Sequence, residues 1–388
     1  MRSGGPPQGR GLLLIPGGIA LLAGLDAALL LLGLPAPVTT ERLPLVHGPL
    51  LVLGFVGTVI ALERAVALRH GAGYAAPVLL GAGGLLTLTP APLALGQGVL
   101  AAGCAALLGL YAGLWRRQES GALTLQVLGA ISALGGALLW WGGAGVPVSL
   151  PWFAGFLVLT IVGERLELAR VGFLSGGVER GVEALGWTAL AAVVATTLWP
   201  APAHHVLGAT LLLTVGLLVR HDVARRTLRA VGLPRFVARA LLAGYAWLAV
   251  AGVIWLVTGP ATQGPAYDAV VHAIFLGFTL GMIMAHAPVI LPAVLRIPLP
   301  SSRAMDVPMV LLHASLALRV LVGDGYGQSW ALVTGGALNV VAVLGFVGVA
   351  VWSAVRASRI PQPTSAPRST TPRSTTPTAP RAPQEAHR

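Results

Sequence analysis

Residues 269–291 read AVVHAIFLGFTLGMIMAHAPVIL, and in this whole stretch His272 and His286 are the only ionisable side chains. About 20 apolar residues suffice to cross the hydrocarbon core of a bilayer, so the stretch reads as a spanning helix. A titratable group at that depth is costly, which makes each histidine a candidate for a functional site with a partner on another helix.

The rest of the chain agrees. Of 388 residues, 55% are hydrophobic and 10% charged, with a mean hydropathy of +0.81; a soluble domain carries about 25% charged residues. The composition is that of an integral membrane protein and excludes a soluble enzyme. A formal charge of +12 and a pI near 11.4 would suit a nucleic-acid binder. All 25 basic residues are arginines, however, and they lie at the ends of apolar runs. The partner they imply is the lipid bilayer, not nucleic acid. Cys104 is the only cysteine, so there is no disulfide framework and no thiolate metal cluster.

Division at Pro, Gly and Arg gives twelve apolar runs: 11–34, 45–68, 74–91, 92–114, 121–142, 148–169, 183–200, 203–220, 237–258, 267–294, 308–323 and 328–354. Alternate junctions are arginine-rich: Arg64 and Arg69; Arg116 and Arg117; Arg165, Arg170 and Arg180; then Arg220, Arg225, Arg226, Arg229, Arg235 and Arg239; Arg296 and Arg303; Arg356 and Arg359. The junctions GVPVSLP, PAPAHH, TGPATQGPAY and VGDGYGQ have none, and only Arg42 breaks the pattern. The positive-inside rule then predicts twelve transmembrane helices with both termini cytoplasmic. Trp140, Trp141, Trp152, Trp199 and Trp330 fall where an outer aromatic belt is expected.

Residues 1–10 read as a cytoplasmic N-terminus, 11–355 as the membrane domain, and 356–388, with PRSTTPRSTTPTAPRAP, as a disordered cytoplasmic tail. Arg2 and Arg10 resemble a signal-peptide n-region, but the run from Gly11 is longer than a usual h-region and no A-x-A site follows, so a retained helix is expected. IALERAVALR (60–69) and IVGERLELAR (161–170) echo each other, Glu63 and Arg64 matching Glu164 and Arg165. Two readings stand: a repeat, or ordinary helix-end charges reaching the interface.

Topology gives each histidine a depth. His47 opens the second run near the outer surface; His272 lies about 8 Å below the outer edge, and His286 about 21 Å further in, at ~1.5 Å per residue. His313 is also in the inner half. The result is two layers, His47 with His272 and His286 with His313. The spacing from His272 to His286 is too long for one metal ion, and neither an i, i+4 pair nor a dense cluster is present. A haem held by one histidine from each of two helices needs only two ligands. Arg319, in the outer half of the eleventh run, needs an anion; Asp26, Asp268, Asp324 or a haem propionate would serve. His70, His204, His205, His221 and His387 read as solvated loop or tail residues. No Gly-rich phosphate loop, G-x-S-x-G elbow or acidic hydrolase pair occurs.

GYAWLAVAGVIWLV (244–257), VVHAIFLGFTLGMIMAHAPVILP (270–292), LHASLALRVLVGD (312–324) and VHGPLLVLGFVGT (46–58) together resemble NnrS-type membrane proteins. These are twelve-helix haem- and copper-containing proteins linked to nitric oxide tolerance, distantly similar to haem-copper oxidase catalytic subunits. The resemblance implies an oxidase-like bundle holding one haem b between His47 and His272, with Arg319 at the propionates, in nitrogen-oxide handling or respiratory electron transfer with an unspecified redox partner. The sixth and seventh runs hold no histidine and the tenth lacks a closely spaced second one, so copper is unsupported by the ligand pattern and no oxidase or reductase activity follows. His286 and His313 are then the residual metal candidates. Two alternatives stand beside it: a proton-coupled transporter using His272, His286 and Asp26, and a non-catalytic membrane assembly factor.

Overall fold

A computed structural model describes residues 10–170, 176–295 and 303–358, and every regular element among them is helical. The helices are α1 (Gly11–Leu31), α2 (Arg42–Leu68), α3 (Gly71–Thr87), α4 (Leu93–Trp115), α5 (Gly121–Trp141), α6 (Val146–Leu168), α7 (Gly177–Leu198), α8 (Pro200–His221), α9 (Leu233–Thr258), α10 (Gly264–Pro292), α11 (Arg303–Asp324) and α12 (Ser329–Ala357). Eleven of them are long and apolar enough to cross a membrane; α3 is shorter. The chain is a multi-pass helical membrane protein. Helix continues through residue 358, past the expected start of the tail at 356; residues 359–388, the first nine residues and Arg296 lie outside the described residues.

Local chemistry sets the boundaries. Pro200, Pro234 and Pro265 start α8, α9 and α10, where a missing N–H costs nothing. The Ser120 hydroxyl accepts the Leu123 N–H at 3.2 Å to cap α5. Pro90 and Pro92 stop α3 short of its expected end. Arg69 closes α2 in the left-handed region, φ 53°, donating its N–H to Ala65 at 3.2 Å.

Bonds between helix ends show consecutive helices running antiparallel. The start of α4 meets the end of α5 (Gln97 Nε2 to Trp140 O, 3.1 Å), the start of α6 the end of α7 (Trp152 Nε1 to Thr197 Oγ1, 3.1 Å), and the start of α8 the end of α9 (His205 Nδ1 to Leu256 O, 2.7 Å). In these three pairs the bonded ends adjoin arginine-poor junctions, and the other ends of the same six helices carry the arginine-rich sequence. Arg42, the exception, is turned onto the Thr89 and Ala91 carbonyls at the end of α3. Small residues set the helix spacing: a Cβ on Gly208 of α8 would meet Leu256 N at 2.5 Å and Gly252 O at 2.6 Å.

Three helices lose regular α geometry. Leu50–Gly57 in α2, Ala273–Leu280 in α10 and Leu318–Asp324 in α11 are π-helical. Such wide turns frequently mark functional sites, and these three helices carry His47, His272 and Arg319. The aromatic belt is partial. Trp141, Trp199 and Trp330 are exposed, whereas Trp140 is buried because its neighbours in α4 and α5 close over it.

Candidate functional site

At the arginine-poor end, α1, α2, α6, α10, α11 and α12 enclose a cavity of about 590 Å³. Its lining is mostly apolar, including Phe55, Phe153 and Phe275, and its polar members include His47, His272, Asp268, Arg319, Thr279 and Asn339. The three expected outer-layer residues thus share one cavity, although they come from three helices far apart in sequence.

The hydrogen bonds fix the chemistry of both rings. His47 Nδ1 bonds the Gly24 carbonyl at 2.9 Å, and His272 Nδ1 bonds the Asp268 carbonyl at 2.8 Å and its carboxylate at 3.3 Å. A carbonyl only accepts, so each Nδ1 carries a hydrogen, and in the neutral ring each Nε2 keeps its lone pair. Neither Nε2 is engaged among the described residues. This is the arrangement in which a histidine binds a metal: the second nitrogen donates to a carbonyl or carboxylate and orients the ring. His47 is also within Coulombic reach of His272, Arg319 and Asp268.

The anion facing Arg319 is Asp268, one of those available from sequence. Nε donates to Oδ2 at 2.8 Å and Nη2 to Oδ1 at 2.7 Å. Two of the donors expected to serve a propionate are therefore taken by the protein's own carboxylate, and Arg319 acts on His272 through Asp268. Two lining side chains keep polar atoms without partners, Thr279 Oγ1 and Asn339 Oδ1.

The other end is wired differently. His286 Nδ1 donates to the Met282 carbonyl at 2.7 Å, and its Nε2 accepts from Arg165 Nη1 at 3.3 Å. Arg165 also grips Asp222 with Nε at 3.2 Å and Nη2 at 2.9 and 3.0 Å, while the Tyr245 hydroxyl donates to Asp222 at 2.6 Å. His313 Nδ1 accepts from Trp247 Nε1 at 3.2 Å. No hydrogen bond joins His286 to His313 among the described residues, and each lone pair is already used. The expected inner pair has separate partners because guanidinium and indole donors reach the two rings first. No group of three or more His, Cys, Asp or Glu able to hold a metal ion occurs among the described residues.

The sequence echo has a structural meaning. Arg64 pairs with its neighbour Glu63 at 3.0 Å and with Glu164 of the second copy at 3.2 Å; Glu167 Oε2 lies 3.6 Å away. Arg64 and Arg165 are both buried. The Arg64–Glu164 pair joins α2 to α6, whereas Glu167 stays exposed at the end of α6. Asp222 and Tyr245 were not singled out from sequence. The one signal for Asp222 is its isolation as the only acid in the RHDVARR junction. His204 is a further correction: it lies inside α8, buried edge-on against Trp255 with ring centroids 5.7 Å apart, because α8 starts at Pro200 and takes it into the bundle.

Together the bundle and the lined cavity define a polytopic α-helical membrane protein with a largely apolar cavity that two half-buried histidines line. Residues 10–355 match the family described as "Domain of unknown function (DUF8744)", and the chain belongs to it. No curated protein matches the chain.

Proposed function

We propose that this is an NnrS-like inner-membrane protein of twelve spans, both termini cytoplasmic and an oxidase-like bundle, that holds one b-type haem between His47 of α2 and His272 of α10. Its role on this reading is respiratory electron transfer or nitrogen-oxide handling. The observation that carries it is the shared cavity: two histidines with Nδ1 tied to carbonyls and Nε2 uncommitted, in a largely apolar enclosure. A bound haem would supply one-electron transfer. Asp268, held by Arg319, orients His272, and the apolar lining excludes water from the site. Purified protein is expected to show a Soret band that is lost in both His47→Ala and His272→Ala while the far-ultraviolet helical signal is kept. Absence of the band from wild-type protein made with haem precursor supplied, or its survival in either variant, overturns the reading.

A second reading, proton-coupled transport, is favoured by one observation. His272, Thr279 and His286 all lie along α10, so one helix carries three polar side chains from the cavity towards the opposite end. Thr279 brings a buried hydroxyl without a partner to the middle of that line. Proton uptake into vesicles that is abolished in His286→Ala, by protein lacking a Soret band, is the result this reading expects; uptake equal to that of empty vesicles removes it.

A further inference from the structure

We propose that the hollow formed by the end of α8 and the segment leading to α9 is a binding site for the phosphate of an anionic phospholipid headgroup. The hollow measures about 540 Å³ and is lined by Arg220, His221, Asp222, Arg225, Arg226 and Arg229. Arg220 and His221 end α8; Arg225 and Arg226 sit on the short helix Ala224–Thr227, and Arg229 just beyond it. Four guanidinium groups thus surround one concavity, and all four side chains are exposed. Guanidinium is the side-chain group best matched to phosphate, since its fork of donors meets two phosphate oxygens at once.

The single acid in the lining does not oppose this. Asp222 is turned inward, its side chain 2% exposed, and both oxygens are used. Oδ1 accepts from Arg165 and from Ala224 N at 2.9 Å, and Oδ2 from Arg165 and Tyr245. Its charge is answered from inside the bundle, so an anion entering from outside meets the guanidinium groups of Arg220, Arg225 and Arg229. Positive charge alone would be ordinary for such a junction; the enclosure is the additional feature. A lipid is favoured over a soluble phosphate because apolar side chains of the same junction are exposed beside the arginines. Val231 is 83% exposed and Leu228 36%, which suits the acyl boundary directly next to a headgroup. Basic pockets between membrane helices bind acidic headgroups in this way. Asp222 is both the floor of the hollow and the anchor of Arg165, which holds His286, so occupancy of the hollow bears on the buried network. The proposal is independent of the haem reading.

The test uses delipidated full-length protein titrated in nanodiscs of phosphatidylglycerol against phosphatidylcholine, with native mass spectrometry to count retained lipid. One retained phosphatidylglycerol and a rise in Tm with that lipid alone are expected. Arg225→Ala with Arg229→Ala should weaken retention at least tenfold. Arg116→Ala with Arg303→Ala, which removes the same charge from other junctions, should leave it unchanged. Equal loss in the two pairs of variants would show diffuse surface attraction and overturn the site. Displacement of the lipid by millimolar inorganic phosphate, or a Tm rise with phosphate alone, would overturn the lipid assignment. Arg225→Lys with Arg229→Lys keeps the charge but not the fork, and its retention should fall between wild type and the alanine pair.

Discussion

Helix α10 carries a histidine towards each end, and the two have been put to different uses with nearly the same neighbours. His272 has Asp268 and Arg319 beside it; His286 has Asp222 and Arg165. At the first, the arginine binds the carboxylate, the carboxylate orients the imidazole, and Nε2 is left over for something else. At the second, the arginine donates to the imidazole itself, and nothing is left over. The order in which His, Asp and Arg are connected, rather than their presence, separates a candidate ligand site from an internal clamp. A buried charge pair is costly to desolvate, and removing one partner leaves the other charge bare. The clamp end should therefore be the more sensitive to truncation, and the cavity end the more sensitive in binding.

The largest effect is expected for Asp222→Ala. It strips Arg165 of its bidentate partner and Tyr245 of its acceptor, and it removes the cap on Ala224 N. Loss of one partner of a buried pair costs roughly 3–5 kcal/mol, enough to lower the denaturation midpoint in detergent clearly. Asp222→Asn keeps the shape and should lose less. A midpoint for the alanine variant equal to wild type would mean that the clamp does not hold the bundle.

Asp268→Asn probes the opposite end. Arg319 then loses its carboxylate, while His272 keeps the carbonyl bond of residue 268 but not the carboxylate behind it. Loss of such an orienting group typically weakens metal binding by about 10–100-fold. Haem titration followed by absorbance should show this loss, and Asp222→Asn should leave the haem titration unchanged. Equal weakening in both variants would erase the distinction between the two ends.

How much of this contrast was legible in the sequence depends on which interactions are local. The helices were readable because apolar runs between arginine and proline punctuation need no knowledge of contacts. His47, His272 and Arg319 were assigned to one layer by topology, and they do line one cavity. Their partners were not readable. Asp268 was one of several reachable acids, and only the geometry of α10 against α11 selects it. The burial of Asp222 was not readable either, because it depends on how Arg165 of α6 and Tyr245 of α9 pack against the junction. The echo in α2 and α6 was visible, but not that Arg64 of one copy would meet Glu164 of the other. The π-helical turns have no signature in residue type at all.

A smaller effect is expected for Gly336→Ala in α12. A Cβ there would lie 2.6 Å from Arg319 Nη1 and 2.6 Å from Leu32 Cδ1. Leu32 can turn aside, but Arg319 is pinned through Nε and Nη2 to Asp268, so part of the clash must be taken up by the backbone. Overpacking of this sort costs about 1–3 kcal/mol, and relief through Leu32 places the expectation near the lower bound. The denaturation midpoint reads the cost directly. If haem titration weakens as well, the arginine has moved and carried Asp268 with it; if only the midpoint falls, the strain has stayed in α12.

The smallest effect is expected for Glu167→Gln. Its side chain is 60% exposed and 3.6 Å from Arg64, whereas Glu63 and Glu164 hold the same guanidinium at 3.0 and 3.2 Å from less exposed positions. An exposed pair of this kind contributes about 0–1 kcal/mol and is screened by salt. The substitution should leave the midpoint nearly unchanged, and whatever shift appears should shrink as salt is raised. Glu164→Gln, by contrast, removes a carboxylate from a site that water hardly reaches, so its effect should be larger and should persist in salt. If the two variants behaved alike, the joint between α2 and α6 would be a diffuse surface cluster. The internal contact between the two sequence echoes would then lose its structural role, and the clamp end would reduce to Arg165 and Asp222.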